Sequence, residues 1–285
     1  MNRLLDDLIK VMTLERLEMN LFRGESRDIG SPQVFGGQVL GQALVAATAT
    51  AEDRVVHSLH AYFLRRGDFN SPIVYEVDRA LDGKHFSSRR VIAIQHGRQI
   101  FNMSASFQVP ETGLDHHAAM PQVPLPETLP DLESYYRGLG DRLPAAARRM
   151  LDQKRPFEFR LTVPPDHLRR EKSPPHKHIW FRAVDRLADD EALHRCLLAY
   201  VSDFHLLDTA LKPHGISMIS ANVTIASIDH AMWFHRSVRV DDWLLYATDS
   251  PSASGARGFT RGSVFARDGR LIASTAQEGL IRVTS

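Results

Sequence analysis

The chain has 285 residues, of which 43% are hydrophobic and 24% charged, with a formal net charge of +1. That length holds two domains of ordinary size, each able to bury its own core. The Arg pairs (Arg65-Arg66, Arg89-Arg90, Arg148-Arg149, Arg169-Arg170) are scattered and offset by acids, which excludes a nucleic-acid footprint. No apolar run reaches the roughly 18 residues of a membrane span, and a lone cysteine, Cys196, excludes an intrachain disulfide.

The N-terminal MNRLLDDLIKVM is broken by acids and lacks the cleavage site of a signal peptide. Val283-Thr284-Ser285 is not a peroxisomal address, so the cytoplasm is the expected compartment. Next comes PQVFGGQVLGQALVAATATAE, where Val39, Leu40, Ala43, Leu44 and Ala47 recur at helical spacing. Four strand-like runs follow: VVHSLHAYFL, PIVYEVDRAL, FSSRRVIAIQ and QIFNMSASFQV. Between Val109 and Pro130 the prolines Pro110, Pro121, Pro124, Pro126 and Pro130 forbid a continuous helix or central strand and predict a linker lying over the surface. Leu132 to Gln153 then reads as helical, interrupted at Gly138, Gly140 and Pro144.

Beyond this seam Phe157, Phe159, Leu161 and Val163 alternate with polar residues, the period of a half-buried strand, and HIWFRAV predicts another. A helix is expected from about Asp190 to Leu211, with Leu193, Leu197, Tyr200, Phe204, Leu207 and Leu211 on one stripe. VTIASIDHAMWFH, WLLYATDS, ARGFTRGSVFARDG and RLIASTAQEGLIR complete a second series of strands. The two series overlay: His60-Ala61 on His230-Ala231, Arg66 on Arg236 and Gly97-Arg98 on Gly269-Arg270, with an offset drifting only from 170 to 172. The pattern is an internal duplication of an α+β unit, a long helix wrapped by an antiparallel sheet. It divides the chain into a first domain at 1–109, a linker at 110–154 and a second domain at 155–285.

G-x-S-x-G, Walker and G-x-G-x-x-G motifs are absent, which argues against an α/β-hydrolase, a P-loop enzyme and a Rossmann dehydrogenase. The closest histidine groups, His57/His60, His176/His178 and Asp229/His230/His235, lack a definite ligand pattern, so no metal is expected. Cys196 falls on the buried stripe of its helix as an ordinary core residue. Gly37-x-x-x-Gly41 is read as close packing of the first helix against its sheet.

Asp203 lies on one shoulder of the second helix's apolar stripe and Asp208 on the other, so helix geometry alone does not choose between them. Ser227 and Gln277 sit on strands, and spacing does not prove that they meet an Asp. Their chemistry is complementary: a carboxylate takes a proton from water, while a hydroxyl and an amide hold that water and a developing oxyanion.

QVFGGQVLGQAL (33–44), VHSLHAYFLRRGD (56–68), FSSRRVIAIQHG (86–97), MSASFQ (103–108), PHGI (213–216), ASIDHAMWFHR (226–236), WLLY (243–246), SASGARGFTRG (252–262) and ASTAQEGLIR (273–282) closely resemble the acyl-CoA thioesterase II family of double-hotdog thioesterases. The resemblance implies a tandem double hotdog that hydrolyses fatty acyl-CoA to free fatty acid and CoA without metal or cofactor. Its water-activating Asp, Thr/Ser and Gln fall on Asp203, Ser227 and Gln277, with Ser227 standing where many members carry Thr. It implies a homo-oligomer, a tetramer or dimer of double-hotdog chains, whose partner is the acyl-CoA substrate. Gly36, Gly37 and His57 are expected to line the substrate, His57 matching Ser227 in the duplicated register. The rival expectations are an enoyl-thioester hydratase or dehydratase on the same fold and a non-catalytic acyl-CoA-binding protein. All three candidate residues come from the second unit, so one active site per chain is expected.

Overall fold

The computed structural model describes residues 2–143, 148, 153–163, 171–218, 220 and 222–284. Helix α1 (Arg3–Met12) is capped by the Asn2 side chain and buries Leu5, Leu8 and Met12 on one stripe. The first unit continues with β1 (Glu15–Glu18), β2 (Leu21–Gly24), α2 (Gly36–Thr48), β3 (Val55–Phe63), β4 (Ile73–Asp82), β5 (Phe86–Gln95) and β6 (Arg98–Gln108). After the linker come α3 (Leu132–Leu139), β7 (Phe157–Leu161), β8 (His176–Ala183), α4 (Glu191–Ser202), β9 (Val223–Ser227), β10 (Asp229–Phe234), β11 (Leu244–Ser254), β12 (Arg257–Ala266) and β13 (Leu271–Val283).

The strands form one antiparallel sheet in the order β1-β2-β4-β5-β6-β3-β10-β13-β12-β11-β8-β7, with β9 extending β10 along β13. Read outward from the β3–β10 seam the two halves mirror each other, each curving round one helix. This is α+β architecture in the double-hotdog arrangement. The helices run antiparallel and touch: a Cβ on Gly37 would sit 2.2 Å from the Tyr200 carbonyl oxygen, and one on Gly41 3.3 Å from that of Cys196. The small residues therefore serve helix–helix contact, not helix–sheet contact as expected. Two backbones this close leave no room for side chains.

Two other expectations change. The second long helix stops at Ser202. Asp203 is its C-cap, His205 takes a positive φ of 60°, and the apolar stripe resumes in a 3-10 helix, Leu207–His214. The register of the duplication is also off by one on the central strand. Leu59 and Ala61 of β3 pair with Met232 and His230 of β10, and all four face the core, whereas His60 faces solvent. Because successive strand residues point to opposite faces, matching His60 with His230 joins an outward residue to an inward one.

The hairpins settle the correspondence. Both shift register at the same place, after Ala93↔Phe101 in β5–β6 and after Val264↔Ala273 in β12–β13. Counting along the strands makes Ala105 equivalent to Gln277, Leu59 to His230 and Val56 to Ser227. His57 and Ile228 are the unpaired bulge residues.

The proline-rich linker crosses the outer face of the second half. It covers Trp180, Trp243, Leu245 and Phe265 with Met120, Val123 and Leu129, and Trp180 Nε1 donates to the Pro124 carbonyl at 3.0 Å. Ion pairs Arg236–Asp115 and Arg267–Glu127 fasten it further. The helical segment after it is α3 followed by a 3-10 turn at Gly140–Arg142, and most of the remainder to Gln153 lies outside the described residues.

Candidate active site

Asp203 stands where the C-terminus of α4 meets the N-terminus of α2. Tyr246 holds this end of α4 by donating to the Ser202 carbonyl at 3.0 Å while bonding Thr275 Oγ1 at 2.7 Å. Gly36 lets α2 approach, since a Cβ there would lie 2.8 Å from Asp203 Oδ2. The Gly37 amide donates to the same carboxylate, in the field of the helix's positive end. Burial raises the Asp203 pKa above the ordinary carboxylate value, and hydrogen bonds from Gln277 and the Gly37 amide pull it partly back.

Gln277 is 1% exposed on β13. Its Nε2 donates to Asp203 Oδ1 at 2.7 Å and to Ser227 Oγ at 3.3 Å, so three residues separated by up to 74 positions share one cluster. Only Asp203 of the three lines the adjoining cavity, about 910 Å³ in volume, whose walls near it are Phe35, Phe159 and Phe204. The Phe35 and Phe204 rings lie 4.1 Å apart. The space is mixed, aromatic beside Asp203 and charged at Arg155, Arg160, Lys172, Lys177 and Lys212, and it is large enough for a long substrate with an apolar part.

Asp208, the other candidate acid, is half-buried and committed to the buried Lys177 at 2.5 Å, a pair in the same cavity's wall. His57 does not join the cluster. Its Nε2 bonds Ser106 Oγ at 2.8 Å and its ring lies edge-on to Phe86, while burial and then the charge of Arg195 lower its pKa. Of the remaining polar groups, Asp229 accepts from the Glu278 amide, and His235 bonds Ser274. Burial pushes the Cys196 thiol up to about 12, so it stays protonated in the core. Among the described residues no three His, Cys, Asp or Glu side chains form a metal-binding group, and no helix is long and apolar enough to cross a membrane.

One neighbour escaped sequence reasoning. His230, 0% exposed, bonds Gln277 Nε2 through Nδ1 and Ser202 Oγ through Nε2. The only sequence signal was alternation along IDHAMWF, which turns His230 inward with Met232.

Two helix-wrapped units sharing one sheet define a double-hotdog protein, here with an acid, a hydroxyl and an amide converging beside a cavity. Comparison with known proteins agrees. Family models described as acyl-CoA thioesterase and acyl-CoA thioesterase N-terminal domain match residues 150–280 and 23–108. The chain is 43% identical to acyl-CoA thioesterase 2 of Haemophilus influenzae over 99% of both chains. It is 42% identical to human acyl-coenzyme A thioesterase 8, over 96% of this chain and 88% of that one. The crystal structure of an acyl-CoA thioesterase II from Mycobacterium marinum superposes with a TM-score of 0.80 at 42% identity, covering 98% of this chain and 99% of that one. The chain belongs to the acyl-CoA thioesterase family and is a thioester hydrolase.

Proposed function

We propose that the chain hydrolyses fatty acyl-CoA to free fatty acid and CoA, with Asp203 as general base and Ser227 and Gln277 holding the nucleophilic water. The observation that carries this is the bridge made by Gln277 Nε2 between Asp203 Oδ1 and Ser227 Oγ at the cavity's edge. A water in contact with this cluster loses a proton to Asp203 as its oxygen attacks the thioester carbonyl. The oxyanion develops in the positive field at the start of α2. Collapse of the tetrahedral intermediate breaks the C–S bond, and the proton held by Asp203 passes to the CoA sulfur. General-base assistance of this kind contributes roughly 10² to 10⁴ in rate. The aromatic wall of Phe35, Phe159 and Phe204 receives the acyl chain.

The working form is a cytoplasmic assembly of several double-hotdog chains, for which light scattering after gel filtration and cell fractionation are the direct checks. The activity is tested by following free thiol from a long-chain acyl-CoA and, in parallel, loss of conjugated absorbance from an enoyl-CoA. Thiol release that disappears in Asp203→Asn supports the proposal. Enoyl turnover without thiol release establishes a hydratase instead. Saturable acyl-CoA binding with neither signal establishes a binding protein.

A further inference from the structure

The Gln277 amide has an orientation that its own hydrogen bonds leave lopsided. Its nitrogen faces three acceptors, Asp203 Oδ1, Ser227 Oγ and His230 Nδ1, at 2.7, 3.3 and 3.3 Å. Its Oε1 is buried and has no partner among the described residues. A buried acceptor left in that state is costly, so something must hold the amide this way round.

The protons in the surrounding chain show what does. Ser202 Oγ donates to the Ala199 carbonyl at 2.9 Å, which leaves only its lone pairs for His230 Nε2 at 3.0 Å. Nε2 must therefore carry the imidazole hydrogen, and Nδ1 offers a lone pair that only an N–H can meet. Burial keeps the ring neutral by lowering its pKa to about 4. Were the amide reversed, Oε1 would confront both the His230 lone pair and the Asp203 carboxylate.

We propose that His230 is a positioning residue for thioester hydrolysis, holding the Gln277 amide nitrogen toward Asp203 and Ser227 so that its free Oε1 is left to accept from the bound water or substrate. The inference rests on the hydrolytic role assigned above to Asp203, Ser227 and Gln277. An independent observation supports it. In the first unit the places of Ser227, His230 and Gln277 are taken by Val56, Leu59 and Ala105, all buried, so the imidazole occurs where the hydroxyl and amide occur and is replaced where they are replaced. A histidine serving only the fold has no reason to follow them.

The test joins a spectroscopic readout on the unaltered chain with a double-mutant cycle. In ¹⁵N-histidine-labelled protein at neutral pH, the His230 resonance, assigned by its loss in His230→Leu, is expected to show a protonated Nε2 and an unprotonated Nδ1. The opposite tautomer overturns the proposal. In steady-state kinetics His230→Leu is expected to lower kcat by about tenfold or more with KM within about threefold, and His230→Asn, which restores an acceptor near Nδ1, to recover most of it. In a Gln277→Ala background His230→Leu should change kcat by less than about threefold. An equal loss in both backgrounds overturns the proposal and leaves the hydrolytic assignment standing. Unimpaired turnover by Gln277→Ala overturns both.

Discussion

The two units place three strand side chains at matching positions, and they fill them in opposite ways. Those positions carry Val56, Leu59 and Ala105 in one unit and Ser227, His230 and Gln277 in the other. The apolar set shows that the fold does not need polar groups there. The first unit has its own buried polar group in Arg89, 2% exposed, which donates to Thr50 Oγ1 and O, the Leu81 carbonyl and Asp82. Arg89 is satisfied by its fixed partners, whereas Gln277 keeps a buried acceptor open. A satisfied network secures structure; a core polar group with spare capacity calls for another explanation, which for Gln277 is the role proposed above.

Substitutions that exchange features between the units break this contrast if it is wrong. The largest effect is expected from Asp203→Asn, a loss of thiol release of about 10² to 10⁴. Because burial raises the Asp203 pKa, its ionisation lowers stability as pH rises through the interval between the ordinary and the raised value. The Asn variant escapes that penalty, so its melting temperature at pH 7 should equal or exceed the parent's in calorimetry. Activity that survives moves the acid elsewhere.

Next come the mirror changes Gln277→Ala and Ala105→Gln. The first is expected to reduce kcat by about 10²-fold, the scale of a misplaced reacting group, because the bridge between Asp203 and Ser227 is lost. The second buries an amide without partners and should lower stability by about 1–3 kcal/mol in urea titrations with turnover per folded molecule unchanged. A third, smaller effect is on pH. The acid limb of kcat/KM should have its midpoint above the ordinary Asp value of about 3.9. Gln277→Ala should move it higher still, since that hydrogen bond lowers the pKa. The smallest change is expected from Ser227→Thr, which keeps the hydroxyl and stiffens its rotamer. Ser227→Val, the first unit's residue, should be far more damaging, and equal rates for the two would remove the hydroxyl from the site.

Alternation and helical spacing made most of the architecture legible, because β3 to β6 and β10 to β13 each bury one face. What escaped did so for physical reasons. Glu15–Glu18 is exposed at every position, so β1 carries no periodic signal at the sheet's edge. The end of α4 was hidden because Leu207 and Leu211 continue the apolar stripe after the chain has broken at Asp203 and His205. The one-residue register error arose because His60-Ala61 and His230-Ala231 match as letters, while the bulges at His57 and Ile228 and the facing of each strand are properties of pairing. Asp203, Ser227 and Gln277 came from the family resemblance. Nothing in their spacing announces that α4, β9 and β13 converge, and His230, an inward strand residue, looked like any core histidine.

The seam between β3 and β10 has a consequence for how such a molecule can change. In a symmetric dimer of single units every substitution is made twice, so altering one pocket alters its twin. Joining the copies on one chain, across a seam where Leu59 pairs with Met232 and Ala61 with His230, makes each substitution singular. One copy can then serve as lining and support while the other carries the polar set, and the asymmetry is heritable because it is written in a single gene product.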